Sequence, residues 1–274
     1  GTFVWSDRGA LQSGSGGQFI NSAGATFVDA TTGIADYLIT NTSGGTFTFS
    51  NAGTFSKSTT SSTHVSVPFS NTGNLLVTAG TLRFSNAFTQ NGGIVFVNTG
   101  ATLKFDQGLT IGGGTVHGSG TIVADISNSA FLSPGNLIGT LTVQGNLTLL
   151  GTSQLLFDLS TPTQGTGYDF LNVTGTVSLG GTFNISMAGA GATNAFSAGD
   201  SLTLINSSGL TGTFLNLPDG TRIFAAHGIG SFVINYTSNG VVLNQFVPVP
   251  EPSTWALMFS GLGVLAWTTF RRKR

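Results

Sequence analysis

No cysteine occurs anywhere in the chain. Disulfide staples are therefore excluded, and stability must come from burial and backbone hydrogen bonds. Charge is scarce as well: 7% of the residues are Asp, Glu, Lys or Arg, against about 25% in an ordinary soluble domain. The surface must then be built from Ser, Thr, Asn and Gly. Residues 1–249 hold nine Asp and five Lys or Arg, a net of −4; the last 25 residues add +3 and bring the chain to −1. A weakly acidic, hydroxyl-rich body has no electrostatic footprint for nucleic acid. Good helix formers are few, and no helix is expected before residue 253. The sequence opens at Gly1 without an initiator Met or a signal peptide. A fragment or processed form is the expectation, with a secretory signal upstream.

What fills the chain instead is glycine (41 residues) and phenylalanine (22 residues). Short alternating apolar runs are separated by Gly, Asn, Ser or Thr, as in Thr140-Leu141-Thr142-Val143, Asn146-Leu147-Thr148-Leu149 and Thr182-Phe183-Asn184-Ile185-Ser186-Met187. Period-two alternation of this kind predicts strands. A looser motif recurs over longer distances: Phe19-Ile20-Asn21, Phe49-Ser50-Asn51, Phe69-Ser70-Asn71, Phe96-Val97-Asn98 and Ile126-Ser127-Asn128. Asn and Gly tolerate positive φ, so each site can turn a corner. Repeats of this length argue for a solenoid or a propeller, and their uneven spacing argues against equal blades. The fold expected is all-β: a right-handed parallel β-helix of about ten coils, about 50 Å long, with phenylalanine ladders inside and Thr, Ser and Asn outside. It is followed by a short C-terminal transmembrane helix. The expected divisions are coils over 1–132, terminal coils and a cap over 133–245, a proline-rich linker over 246–252 and a tail over 253–274.

The tail has its own physics. Trp255 to Phe270 is an apolar run of sixteen residues, about 24 Å as a helix against a bilayer core of about 30 Å. It is short for a span. Snorkelling by Arg271, Arg272, Lys273 and Arg274 at one end, with Trp255 at the opposite interface, makes up the difference. Positive charge beside a hydrophobic run stays cytoplasmic, which puts everything before Pro250 outside the inner membrane. Pro248, Pro250 and Pro252 keep the preceding stretch extended and out of the sheet. Such a segment serves either as the spacer of a plain anchor or as the target of a processing enzyme.

The order of these parts resembles a known signal. Val249-Pro250-Glu251-Pro252-Ser253-Thr254-Trp255-Ala256-Leu257, a glycine-interrupted apolar stretch with Gly261 and Gly263, and the basic end Arg271-Arg272-Lys273-Arg274 resemble the PEP-CTERM sorting signal. The resemblance covers 249–274. It implies the Pro250, Glu251, Pro252 motif as the recognition element and an exosortase, a membrane-embedded transpeptidase-like enzyme of Gram-negative-type bacteria that make exopolysaccharide, as partner. It also implies transient residence in the inner membrane and delivery to the surface or matrix. A second resemblance covers roughly 133–245. Ser133-Pro134-Gly135-Asn136, Gly167-Tyr168-Asp169-Phe170, Gly180-Gly181-Thr182-Phe183, Ala198-Gly199-Asp200-Ser201 and Gly212-Thr213-Phe214, in that order, resemble the terminal β-helix coils of autotransporter-type passengers. Nothing in the sequence resembles the β-barrel translocator of such passengers; the sorting tail stands in its place.

Chemistry is hard to find in the body. A glycosidase needs two carboxylates about 5–10 Å apart, and the Asp residues are scattered singly. Stacking of coils offers two pairs, Asp158 with Asp169 and Asp200 with Asp219. The competing reading makes them turn-formers and caps. His64, His117 and His227 lie far apart and read as loop histidines rather than metal ligands. Gly112-Gly113-Gly114 lacks the Lys-Ser/Thr ending of a phosphate loop and reads as a corner between coils. Phenylalanine, with no polar handle, reads as core rather than sugar platform. The expectation is a non-enzymatic surface or exopolysaccharide-matrix protein without metal or cofactor, touching extracellular polysaccharide through its polar faces. The alternatives are a β-helix polysaccharide lyase or glycosidase, and a surface adhesin or ice-binding module.

Overall fold

The structure, a computed structural model, describes residues 1–6, 9–33, 36–188, 195–224 and 230–248. Among these residues there are 28 strands and no helix. The chain lays down strands in groups of three. Thr2–Trp5, Leu11–Ser13 and Gly17–Asn21 pair in parallel with Thr26–Asp29, Asp36–Asn41 and Phe47–Asn51. Repetition of this step builds most of a sheet of 16 strands and another of 12, and the main path through the first holds ten parallel strands in succession. At about 4.8 Å per step that stack is about 45 Å long. The all-β expectation with long parallel sheets therefore holds.

Alternation explains the packing. Strands such as Thr54–Lys57, Thr81–Phe84 and Thr102–Phe105 bury every second side chain. Because pairing is parallel and in register, like residues stack on like. Phe19, Phe49 and Phe69 lie 4.7 Å apart ring to ring, and Phe88 continues the column at 5.6 Å. A second column runs Phe3, Phe27, Phe55 at 5.1 and 4.7 Å, meeting the first edge-on. Each such pair adds about 0.5–1.5 kcal/mol beyond its buried area. Farther along, the columns change to Leu109, Ile126, Leu147, Val177 and Leu210.

An asparagine ladder turns one corner. The Asn21 amide donates to Asn51 Oδ1 (2.6 Å), Asn51 to Asn71 Oδ1 (2.7 Å) and Asn71 to Gln90 Oε1 (2.8 Å), all buried. These amides also donate to the carbonyls of Thr54, Asn74 and Gly73. The equivalence of Asn21, Asn51 and Asn71 expected from the motif holds. Phe96-Val97-Asn98 does not belong to it. The fourth rung is Phe88-Thr89-Gln90, and Phe96 and Val97 pair with Leu76 and Val77 on another stack. The coil is only 19 residues long there, and one unbroken strand, Phe88–Val97, runs through the corner.

Beside that ladder, glycines carry the turn where no Cβ fits. A Cβ on Gly73, Gly93 or Gly114 would lie 2.1, 2.0 and 2.2 Å from the carbonyl oxygens of Gly53, Gly73 and Gly93 respectively. Gly112-Gly113-Gly114 is thus part of a corner, with a register shift against Asn91. Gly93 also has φ +66°. Gly93→Ala is expected to cost about 2–4 kcal/mol, the left-handed penalty plus overpacking against backbone, read as a lower urea midpoint.

The two ends differ. Thr2–Trp5, Leu11–Ser13 and Gly17–Asn21 each pair on one side, with Phe3, Val4 and Ile20 exposed. At the other end Leu202–Asn206 pairs antiparallel with Gly240–Pro248, which pairs with Gly230–Tyr236, which pairs with Arg222–Phe224. Antiparallel strands close the 12-stranded sheet against further parallel addition. The sheet reaches Pro248, opposite Gly230, where the prolines were expected to keep the chain out. A proline at the last position of a strand removes no interior ladder bond.

Candidate functional site

Buried polar groups are where a low-charge body would keep chemistry, and three clusters stand out. In the first, Asp29 and Lys57 are register partners on adjacent strands, both fully buried. Their charged atoms are 3.9 Å apart. Thr31 Oγ1 donates to Asp29 Oδ1 at 2.7 Å and Thr63 Oγ1 to Oδ2 at 2.5 Å. Lys57 Nζ donates to Thr59 O, Thr59 Oγ1 and Ser61 Oγ at 2.6–2.9 Å. Burial pushes the lysine below its ordinary range, and Asp29 pulls it back. Every polar atom of this pair has partners, so it serves as a closed internal brace across two coils. The expectations drawn from the sequence missed it, because only register makes these two residues neighbours.

The second cluster holds Asp158 and Asp169, brought together not by stacking, which sets Ser186 beside Asp158, but by a local loop closed by an antiparallel bridge between Leu159 and Tyr168. Asp169 accepts the backbone N–H of Gly139 on Oδ1 and that of Asp158 on Oδ2, both at 2.8 Å. Asp169 N–H donates back to the Asp158 carbonyl at 2.9 Å. Asp169 is fully buried. Burial pushes its carboxyl up to about 8, while the two N–H donors oppose the rise and the charge of Asp158 adds to it. Asp158 is also raised by burial, against a hydrogen bond with Ser186. Asp169 thus pins the Gly139 turn to the strand Gln154–Leu159. Asp200 and Asp219 are not brought together: Asp200 closes a local turn by accepting Ser197 N–H (2.7 Å), and Asp219 accepts the N–H of Tyr236 at the end of the strand Gly230–Tyr236 (3.0 Å).

The third cluster is exposed. Arg83 Nε and Nη2 donate to Asp106 Oδ2 at 2.9 and 2.6 Å, and Lys104 Nζ lies 3.8 Å from Oδ1. His64, one coil away, bonds Ser85 Oγ through Nε2 at 2.6 Å. Burial, then the charge of Arg83, hold His64 below its ordinary range, against Asp106 and Asp36. His64 and His117 sit on the strands Ser62–Val65 and Leu109–Gly118, not in loops as the sequence suggested. His117 packs against Phe96 with ring centres 5.0 Å apart. His227 lies outside the described residues. Among the described residues no group of three or more His, Asp or Glu is placed to hold a metal ion.

The outer faces carry hydroxyl rows. Ser50 and Ser70 pair, as do Ser70 and Thr89; Thr110, Ser127, Thr148, Ser178 and Thr211 follow in register. A shallow groove of about 370 Å³ opens along the second set, between Gln107, Asp125 and Asn146. Asp125 there accepts both Asn146 N–H (2.7 Å) and its side-chain amide (3.0 Å), bracing one coil to the next. On another face Ser62, Thr81 and Thr102 stack, but the companion row is His64, Arg83 and Lys104.

Pro250, Glu251, Pro252, Trp255, Phe270 and Arg271, Arg272, Lys273 and Arg274 lie outside the described residues, and so does the helix expected over the tail. Among the described residues no helix is long and apolar enough to cross a membrane. For the tail the family comparison speaks. Residues 248–274 match the PEP-CTERM protein-sorting motif, one residue longer than the stretch read from the sequence. The motif marks a protein processed by an exosortase and sorted through the membrane to the bacterial cell surface. No curated protein matches the chain.

Proposed function

We propose that this chain is an exported structural protein of the cell surface or exopolysaccharide matrix. In this reading residues 1–132 and 133–245 form one right-handed parallel β-helix rod with autotransporter-like terminal coils. Residues 246–252 are the linker presented to the exosortase. Residues 253–274 are a transient span in the inner membrane of a Gram-negative-type bacterium, with Arg271–Arg274 on the cytoplasmic side. The observation that carries the reading is the sorting motif joined to the end of a long parallel stack.

The body is assigned no catalytic role. In support, Asp169 spends both carboxylate oxygens on backbone N–H groups, and Asp200 and Asp219 accept separate backbone N–H groups, of Ser197 and Tyr236. Ladders of buried Phe and Asn, repeated coil after coil, suit a stiff element. Extracellular polysaccharide is the expected neighbour, met through the hydroxyl rows.

Cell fractionation tests the sorting. The protein expressed with its tail is expected in the surface or extracellular fraction, with a mass showing a C-terminus cut near Pro250-Glu251-Pro252. Removal of residues 250–274, or Glu251→Ala in the motif, is expected to stop that delivery and the associated mass change. Unchanged location and mass after the deletion would sink the proposal.

A further inference from the structure

We propose that the face carrying His64, Arg83 and Lys104 binds an acidic polysaccharide, a linear chain bearing carboxylate or sulfate groups. The biological setting rests on the surface-sorting reading above; the binding itself is a property of the coils. Arg83 is the register partner of His64 on one side and of Lys104 on the other. In each of these strands the flanking residues are buried, so the three side chains project outward in one row. They recur once per coil, about 4.8 Å apart.

That arrangement works against stability. Like charges directly opposite on neighbouring strands repel. Residues 1–249 contain only five Lys or Arg. Lys57 is buried, yet Arg83 and Lys104 stand side by side with side chains 40% and 41% exposed. Asp106 faces both cations, at 2.6 and 3.8 Å, and Asp36, on the strand next to that of His64, adds a weaker attraction on Arg83 and His64. With His64 neutral, the ion-paired group of Arg83, Lys104 and Asp106 carries one positive charge, and the more distant Asp36 offsets part of its field on the Arg83 side. An added anion beside Lys104 would relieve the repulsion between the two cations, which share Asp106 as their ion-pair partner.

The hydroxyl row determines the class of ligand. Ser62, Thr81 and Thr102 precede the cationic row by two residues in each strand and stack in the same register. Both rows therefore run along the stacking axis, hydroxyls beside cations. A chain of sugars with one acidic group per repeat can set its acid groups on one row and its hydroxyls on the other. An open, repeating strip suits a polymer better than a small molecule, which needs enclosure. Binding through exposed charges is expected to be salt-sensitive and moderate in strength.

The test uses the purified full-length chain in detergent. Polygalacturonate and dextran sulfate are the acidic probes; neutral dextran and single-stranded DNA are the controls. Polygalacturonate or dextran sulfate is expected to bind in low salt and to be released as salt is raised to about 0.3 M, where screening is strong. Arg83→Ser with Lys104→Ser is expected to weaken that binding by about tenfold or more, which is about 1.4 kcal/mol or more. Lys104→Gln alone, which keeps the Arg83–Asp106 pair, is expected to lose part of it if the double variant folds poorly. The imidazole of His64, followed by NMR and assigned with His64→Gln, is expected to titrate at higher pH when the acidic polymer is present. A bound anion opposes the depressing field of Arg83. The idea is overturned by lack of binding to both acidic polymers, by equal binding in the variants, by an unmoved His64, or by equally strong binding of neutral dextran or DNA. Failure of sorting in cells would leave these measurements unchanged, so the two proposals fail separately.

Discussion

Lys57→Met is expected to destabilise the body by about 3–5 kcal/mol, because it leaves the Asp29 carboxylate buried and uncompensated. The side chain of Lys57 is fully buried, as is that of Asp29, so no water reaches the charge that remains. Thr31 and Thr63 still donate to Asp29, which keeps the loss from growing further. Thr59 and Ser61 would lose a donor they meet at 2.6–2.9 Å. The double change Asp29→Leu with Lys57→Met removes both charges and is expected to recover most of the loss. A buried pair exchanged for apolar residues of similar volume is often neutral or stabilising. Urea unfolding of the wild type, the single and the double variant measures this directly. A single variant as stable as the wild type would mean that the pair is not closed to solvent.

Asp169 sets the second large effect. Its folded-state carboxyl is raised to about 8, whereas an unfolded Asp titrates near its ordinary value of about 3.9. The sign follows from linkage. Below about pH 4 both states hold the proton, and the contribution of this group to stability is complete. As pH rises the unfolded state ionises first, so stability is lost progressively until the folded carboxyl also ionises near pH 8. The slope in that window is up to about 1.4 kcal/mol per pH unit. Asp169→Asn removes the proton-linked part. Its Oδ1 can still accept Gly139 N–H, but its amide would face the N–H of Asp158. The variant is therefore expected to be less stable than the wild type in acid and to approach or overtake it by about pH 8. The difference between the two urea midpoints, taken across that range, isolates the group from the other carboxylates. Parallel curves for the two proteins would show that the two backbone N–H donors hold the carboxylate ionised throughout.

Both effects concern residues whose role is invisible in isolation. Asp29 and Lys57 look like two ordinary scattered charges until parallel register sets them side by side. Asp158 and Asp169 were candidates for a catalytic pair on stacking alone; the observed hydrogen bonds make Asp169 a clamp on two backbone N–H groups. The motif Phe-x-Asn was legible at Asn21, Asn51 and Asn71 because each coil ends a short strand there. It misled at Asn98, because Gln90 does the same chemistry under another letter. The basic row of Arg83 and Lys104 carried no local signal, since its members lie on different strands.

By itself the sequence determined what local chemistry can determine. Alternating apolar residues and frequent glycines specified strands, the lack of cysteine left burial and hydrogen bonds to hold them, and the contiguous tail spelled a sorting motif that the family comparison matches at 248–274. Only the tertiary structure decided which residues from different coils meet. Register stacked phenylalanine on phenylalanine, closed the Asp29–Lys57 brace, gave Asp169 its Gly139 donor and lined up the cations of the outer face. The physical reason is that a parallel ladder joins residues a full coil apart, and the coils differ in length, from 30 residues at Asn21 to 19 at Asn71. No fixed period in the chain can announce those contacts; they exist only once the coils are stacked.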